Sequence, residues 1–273
     1  MEGNRRAHRR AAAALGVRSA SDIYAQAIAA HFPDAALDTV NAADRDEALP
    51  AGAGLDAYDG LVISGSALHA GDTGFAVRNQ IDLVRAFAQT GKPILGSCWG
   101  LQIAALAAGG AVRPSPRGRE AGFARNIALN YAGRGHAFLA GRPAAFDAIC
   151  IHYDEVTRLP AGAIVLAGNA HSPVQAAIVP LGRSEVWAVQ YHPEYDLQQI
   201  ASMMRHYQKD MIADGFVRDA EEVDAQVLRL EALHRAPDDK ALAWQLGVDK
   251  QVLDDALRRT EIINWVRMCL DTE

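Results

Sequence analysis

No run of about 18 apolar residues occurs in this 273-residue chain, so nothing in it reads as a membrane-spanning helix. The N-terminus, Met1-Glu2-Gly3-Asn4-Arg5-Arg6, is basic but leads into a polar helical pattern rather than an apolar stretch. That excludes a secretory signal and points to the cytoplasm. Cysteine is scarce. Cys98, Cys150 and Cys269 are too few and too scattered for a disulfide framework, and none has zinc-site spacing. No histidine spacing demands a metal either. A basic excess is lacking too: the net charge is −6, which argues against nucleic acid as a partner. Residues 1–213 hold 19 basic and 19 acidic side chains, so the tail from Asp214 onward, with 8 against 14, carries the whole excess. Internal repeats and low-complexity linkers are absent.

What is present is a chain half hydrophobic, enough to bury a substantial core. Residues 8–32 read as a helix broken near Gly16-Val17, followed by a short strand over Ala36 to Ala42. Asp59 to Ser66 is an apolar run ending in small residues, the pattern of a buried parallel strand and its C-terminal loop. Phe75 to Thr90 reads as an amphipathic helix stopped by Gly91, and Pro93 to Ser97 as the next strand. Strands alternating with helices predict an α/β fold with a doubly wound, mostly parallel sheet, whose ligands bind at the C-terminal ends of the strands. Such a sheet ordinarily opens with its own apolar strand, and none precedes Met1-Glu2-Gly3-Asn4. Either that strand is lost or the chain starts inside it.

After a helix from Trp99 to Ala108 and a short strand at Ala111-Val112-Arg113, the rhythm changes. Gly122 to Asn130, Ala148 to His152, Ala163 to Ala167, Val174 to Val179 and Val186 to Gln190 are rich in β-formers, giving a β-rich extension before a helix over 196–213. The division expected is a catalytic domain over 1–213 and a helical appendage over 214–273. Within the latter, Ala241 to Leu253 has the outline of a helix-turn-helix with Gly247 at the turn. Lys250 is its one basic side chain, however, and Asp249, Asp254 and Asp255 would repel phosphates. A helical cap or a contact between copies in a homo-oligomer suits the tail better.

The stretch that carries chemistry is Lys92-Pro93-Ile94-Leu95-Gly96-Ser97-Cys98-Trp99-Gly100-Leu101-Gln102. A lone cysteine is most often a small buried residue. Here it sits at the apex of a strand-to-helix turn, flanked by Gly96 and Gly100, where the first free N–H groups of the helix favour negative charge. A thiol so placed is a nucleophile in need of a base. Val186 to Glu194 supplies one at the end of another apolar strand: His192 as base and, two residues on, Glu194 as its orienting acceptor.

The chain order Cys98, His192, Glu194, with Gly96-x-Cys98-x-Gly100-x-Gln102 and Gln190-Tyr191-His192-Pro193-Glu194, resembles the class I (triad) glutamine amidotransferases. The likeness covers about residues 40–205 and leaves the tail outside. It implies their flavodoxin-like fold and hydrolysis of a γ-glutamyl amide, either glutamine or a γ-glutamyl-amine conjugate, through a Cys98 thioester, with no cofactor and no metal. It also implies an oxyanion hole from the backbone N–H groups of Ser66 and Trp99, in a loop where Ser66 replaces the usual glycine. Gly65 and Gln102 would contact the substrate. Ile151-His152-Tyr153-Asp154 resembles the stretch whose backbone holds the α-amino and α-carboxylate groups of glutamine, with Ile151 in place of serine. His69, just past the oxyanion loop, is the surplus histidine placed to line the pocket.

Three functions are open at this point. A stand-alone γ-glutamyl amide hydrolase comes first. A glutaminase subunit giving ammonia to a separate synthetase is the alternative, since no Ser-Gly-Gly-x-Asp-Ser or ATP-grasp signature lies in the chain itself. A non-catalytic binding or regulatory module is the third, and the complete residue set argues against it.

Overall fold

The computed structural model describes residues 1–45, 49 and 53–270. The elements are α1 (Arg6–Ala13), α2 (Ala20–Ala29), β1 (Leu61–Ile63), α3 (Phe75–Phe87), β2 (Ile94–Ser97), α4 (Trp99–Ala107), β3 (Ala111–Pro114) and β4 (Glu120–Leu129). There follow α5 (Tyr131–Gly135), β5 (Ala145–His152), β6 (Asp154–Arg158), β7 (Ile164–Gly168), β8 (Ala176–Leu181) and β9 (Ser184–Val189). Helices α6 (Leu197–His206), α7 (Gln208–Ala213), α8 (Ala220–Arg235), α9 (Lys240–Leu246), α10 (Lys250–Leu253), α11 (Asp255–Arg258) and α12 (Thr260–Leu270) complete the chain.

One seven-stranded sheet runs β1-β2-β9-β8-β7-β4-β5. Strands β1, β2 and β9 are parallel, and the β-rich second half continues the same sheet with antiparallel strands. Strands β3 and β6 pair separately. Because side chains alternate across a strand, Ile94 on β2 and Val186 and Ala188 on β9 enter the core beneath α3 and α4. Leu95, Trp187 and Val189 enter the opposite core, with Tyr24 of α2 and Ile262 and Trp265 of α12. A third core joins α6 and α8 through Ile200, Met204, Val223, Val227 and Leu230. Each such aliphatic side chain, fully buried, contributes roughly 1.5–3 kcal/mol.

The break expected near Gly16 lies over residues 14–19: Gly16 has φ +76°, and the Ser19 side chain accepts from the Asp22 N–H to start α2. The strand expected over Ala36 to Ala42 is not formed. Among the described residues that segment joins no strand ladder, and its Val40 carbonyl accepts from the Glu2 N–H at 2.9 Å. Met1 to Gly3 lie against β1. The Met1 amino group donates to the Val62 carbonyl at 2.6 Å and the Ser64 N–H to the Met1 carbonyl at 3.1 Å. Burial lowers the pKa of that amino group to about 6 despite the Glu2 charge beside it. The helix expected over 196–213 is divided at Tyr207 into α6 and α7.

The tail is helical as its apolar stripes require, and it packs against the sheet. Helix α9, Gly247 at φ +62° and α10 retain the helix-turn-helix outline, but α10 is a four-residue turn. Leu246, Val248 and Val252 are buried, and Arg125 of β4 donates to the Leu246 and Gly247 carbonyls. Among the described residues no helix is long and apolar enough to cross a membrane.

Candidate active site

Strand β2 delivers Cys98 to the C-terminal edge of the sheet, where the chain turns at once into α4. Cys98 has φ 51° and ψ −101°, one of two non-glycine residues with positive φ among those described. Such a conformation costs about 1–3 kcal/mol and persists only where packing over-determines it. The packing is visible at the two glycines. A Cβ on Gly96 would lie 2.7 Å from the Gly100 carbonyl carbon, and one on Gly100 2.6 Å from the Ile63 carbonyl oxygen. The turn is also fixed by the Cys98 N–H, which donates to the Val189 carbonyl at 2.8 Å and so ties the elbow to β9.

Strand β9 ends close by at Val189, and the loop that follows it carries His192 and Glu194. The Nδ1 of His192 is 2.7 Å from Glu194 Oε1, with both side chains at most 2% exposed. The imidazole is clamped on its faces. Tyr195 stacks on it at 4.0 Å with an interplanar angle of 12°, and a Cβ on Gly65 would fall 2.7 Å from its Cε1. Burial disfavours the imidazolium, but the Glu194 carboxylate and the Cys98 sulfur outweigh that cost and push His192 up to about 10. The ring is therefore suited to carry a proton between a carboxylate and a sulfur.

These groups open on a cavity of about 470 Å³, within the range of ligand pockets. Gly65, Ser66, His69, Cys98, Gln102, Ile151, His152, Tyr153 and His192 all line it. Glu194 stands behind His192. The Trp99 side chain turns away, its indole N–H donating to Gln80 Oε1 at 2.9 Å. The backbone N–H groups of Ser66 and Trp99 take no acceptor among the described residues. Gln102 is oriented by its own amide nitrogen, which donates to the Asp154 carbonyl at 3.0 Å. His152 is engaged on both ring nitrogens, with Glu120 Oε2 at 2.8 Å and the Asp154 carbonyl at 3.1 Å. Its side chain is thus a brace for the segment whose backbone faces the cavity. His69 meets Asp154 Oδ2 at 3.2 Å. Cys150 and Cys269 are buried and lie outside the elbow turn, both with raised pKa, chiefly through burial. Among the described residues no group of three or more His, Cys, Asp or Glu is disposed to hold a metal ion.

Several supports lie outside the motifs. Fully buried Glu2 accepts from Ser21 N–H and from both nitrogens of Asn4, each at 2.9 Å, and Asn4 Oδ1 in turn accepts from Ala67 N–H at 2.8 Å. The Ser66 hydroxyl donates to the Gly3 carbonyl at 2.8 Å. The first four residues thus hold the loop bearing Ser66. Arg119 closes one side of the cavity, paired with Asp214 at 2.8 Å and facing the Tyr153 and Tyr207 rings.

The family model for glutamine amidotransferase class-I matches residues 24–209. The chain belongs to this family. It is accordingly an enzyme of the glutamine amidotransferase hydrolase type. It is 36% identical over 217 residues to a γ-glutamyl-L-1-hydroxyisopropylamide hydrolase of a Pseudomonas species, covering 78% of this chain and 72% of that protein. It is 34% identical over 146 residues to γ-glutamyl peptidase 3 of Arabidopsis thaliana, covering 52% and 57%. A glutamine-hydrolysing GMP synthase of Thermomicrobium roseum is 34% identical over 173 residues, and this chain spans only 31% of it. Among solved structures, a glutamine amidotransferase of Methylobacillus flagellatus superposes with a TM-score of 0.58 at 20% identity, over 82% of this chain and 81% of that one. One from Thermotoga maritima gives 0.54 at 17%, over 76% and 83%. At these identities the two share the fold.

Proposed function

We propose that the protein is a stand-alone hydrolase of γ-glutamyl amides, using Cys98 as nucleophile, His192 as acid and base, and Glu194 as the orienter of His192. The observation that carries this reading is the strained Cys98 elbow sharing one cavity with a His192 held by Glu194 at 2.7 Å. The likeness over most of the chain to a relative named for γ-glutamyl amide hydrolysis supports it.

In this mechanism the Cys98 sulfur attacks the γ-carbonyl carbon and the C=O electron pair moves to oxygen. The Ser66 and Trp99 N–H groups donate to that oxyanion. His192 gives its Nε2 proton to the departing nitrogen, the C–N bond breaks, and the amine leaves a γ-glutamyl thioester on Cys98. His192, now neutral, takes a proton from water, whose oxygen attacks the thioester. The C–S bond breaks, glutamate is released, and the proton returns to the Cys98–His192 pair. Glu194 holds Nδ1 throughout, so that Nε2 faces the reaction.

The walls favour a small leaving amine without a carboxylate. Ala12, Val17 and Met203 contribute apolar surface. Each arginine of the lining is already paired: Arg9 with Asp44, Arg18 with Asp196 and Arg119 with Asp214. A carboxylate on the leaving group would find no free guanidinium there. In this reading residues 1–213 form the catalytic unit and residues 214–273 brace it, through Asp214 at the cavity wall, α8 on α6 and α12 on the sheet.

Incubating the isolated protein with γ-glutamyl alkylamides, glutamine and γ-glutamyl dipeptides tests this. Faster release of glutamate from the alkylamides without any partner is the expected result. Turnover of glutamine that appears only when a synthetase is added would overturn it in favour of an ammonia-donating subunit, and no turnover under either condition would leave a binding module.

A further inference from the structure

Glu194 is 1% exposed, so the way its carboxylate is held decides where His192 points. Oε1 accepts two hydrogen bonds, from His192 Nδ1 at 2.7 Å and from the Ser97 hydroxyl at 3.0 Å. Ser97 is fully buried at the end of β2, one residue ahead of Cys98. Its register opposite Val189 of β9 sets it beside the segment that carries His192 and Glu194. Oε2 of Glu194 is buried with no partner among the described residues.

We propose that Ser97 is a positioning residue, whose hydroxyl holds the Glu194 carboxylate through Oε1 and thereby fixes His192 against Cys98. Hydroxyls suit this place. A buried carboxylate needs its lone pairs filled, whereas a lysine or arginine there would compete with the imidazolium for the same charge. A hydroxyl donor adds a bond and no charge. The inference rests on reading Cys98, His192 and Glu194 as a working triad, but not on which amine leaves.

A double-mutant cycle tests it. Ser97→Ala and Ser97→Thr are made in the parent and in a Glu194→Gln background. Two signals are followed: kcat on a γ-glutamyl amide, and the rate at which iodoacetamide alkylates Cys98, read by mass spectrometry of the Cys98 peptide. A lost hydrogen bond to a charged group corresponds to a factor of about ten or more. Ser97→Ala is therefore expected to lower kcat about tenfold with KM changed less than about twofold, and to slow alkylation, while Ser97→Thr restores both. In the Glu194→Gln background the same changes should cost less than about twofold. Equal losses in both backgrounds, or no loss in the parent with melting temperatures unchanged, would overturn the proposal. The alkylation signal separates this inference from the substrate reading: absent hydrolysis with a coupled alkylation cycle refutes only the latter.

Discussion

Glu261 of α12 provides a quantitative test of whether the tail is an appendage or part of the catalytic fold. Its two carboxylate oxygens accept from Arg142 Nε and one terminal nitrogen, each at 2.7 Å, and the side chains are 0% and 1% exposed. The same Arg142 donates to Gln251 Oε1 at 3.1 Å and to the Arg258 carbonyl at 3.0 Å. The Tyr191 hydroxyl donates to Glu261 Oε1 at 2.9 Å, and Tyr191 directly precedes His192. Replacing Glu261 by Ala leaves the guanidinium charge buried with no counter-charge, which costs about 3–5 kcal/mol. Native stabilities are about 5–15 kcal/mol, so this is a large share. At about 2–4 °C per kcal/mol for a chain of this size, the melting temperature should fall by about 10 °C. Urea denaturation followed by far-UV circular dichroism measures the same loss. The pair Arg142→Met with Glu261→Leu removes both charges and should recover most of it, because two well-packed apolar side chains need no partner. A Glu261→Ala variant within about 1 kcal/mol of the parent would refute the reasoning and leave the tail a dispensable cap.

Further outcomes follow from the site. Gly3→Ala puts a Cβ 2.8 Å from both the Gly65 carbonyl oxygen and Ser66 Cβ. Displacing the Ser66 N–H should cost about 10²–10³ in kcat, as loss of an oxyanion donor does, with the circular dichroism spectrum unchanged. Gly100→Ala forces the new methyl against the Ile63 carbonyl at 2.6 Å, so soluble yield and melting temperature should both drop. For His192 the folded pKa of about 10 lies above its ordinary 6.5. The folded state therefore binds the extra proton between those values, and this contribution to stability is complete below about pH 6.5 and lost as pH rises to 10. Melting curves against pH should decline over that window, and His192→Asn should flatten the decline.

The sequence was most legible where local chemistry and position coincide. The Gly96-x-Cys98-x-Gly100 spacing reads as an elbow because only glycine tolerates the close crossings that the structure places at Gly100 and Ile63. His192 and Glu194 are readable as a pair from their short spacing just past an apolar strand, and the turn after β9 brings them together at 2.7 Å. The alternating strands and the turns between them located most of β4, β5, β7, β8 and β9. The failures share a cause, which is that long-range contacts are invisible in a linear pattern. Ala36 to Ala42 meets the distant Glu2 N–H through its Val40 carbonyl, and one such bond does not make a strand ladder. The role of Glu2, Gly3 and Asn4 in holding the Ser66 loop depends on residues 61–67, far along the chain, and the buried Glu261–Arg142 pair spans 119 residues. Ser97 sits inside the cysteine motif and Tyr195 just past Glu194, but a serine beside a nucleophile and a tyrosine after a carboxylate carry no signal until their partners are known.

The central claim is that Cys98 becomes acylated by a γ-glutamyl group. Rapid acid quenching of the protein during turnover of a γ-glutamyl alkylamide, followed by mass spectrometry of its peptides, tests this most directly. A γ-glutamyl adduct is expected on the Cys98 peptide alone, and it is missing in Cys98→Ala together with all turnover. Hydrolysis that persists in Cys98→Ala, or an adduct on Cys150 or Cys269 instead, would contradict it.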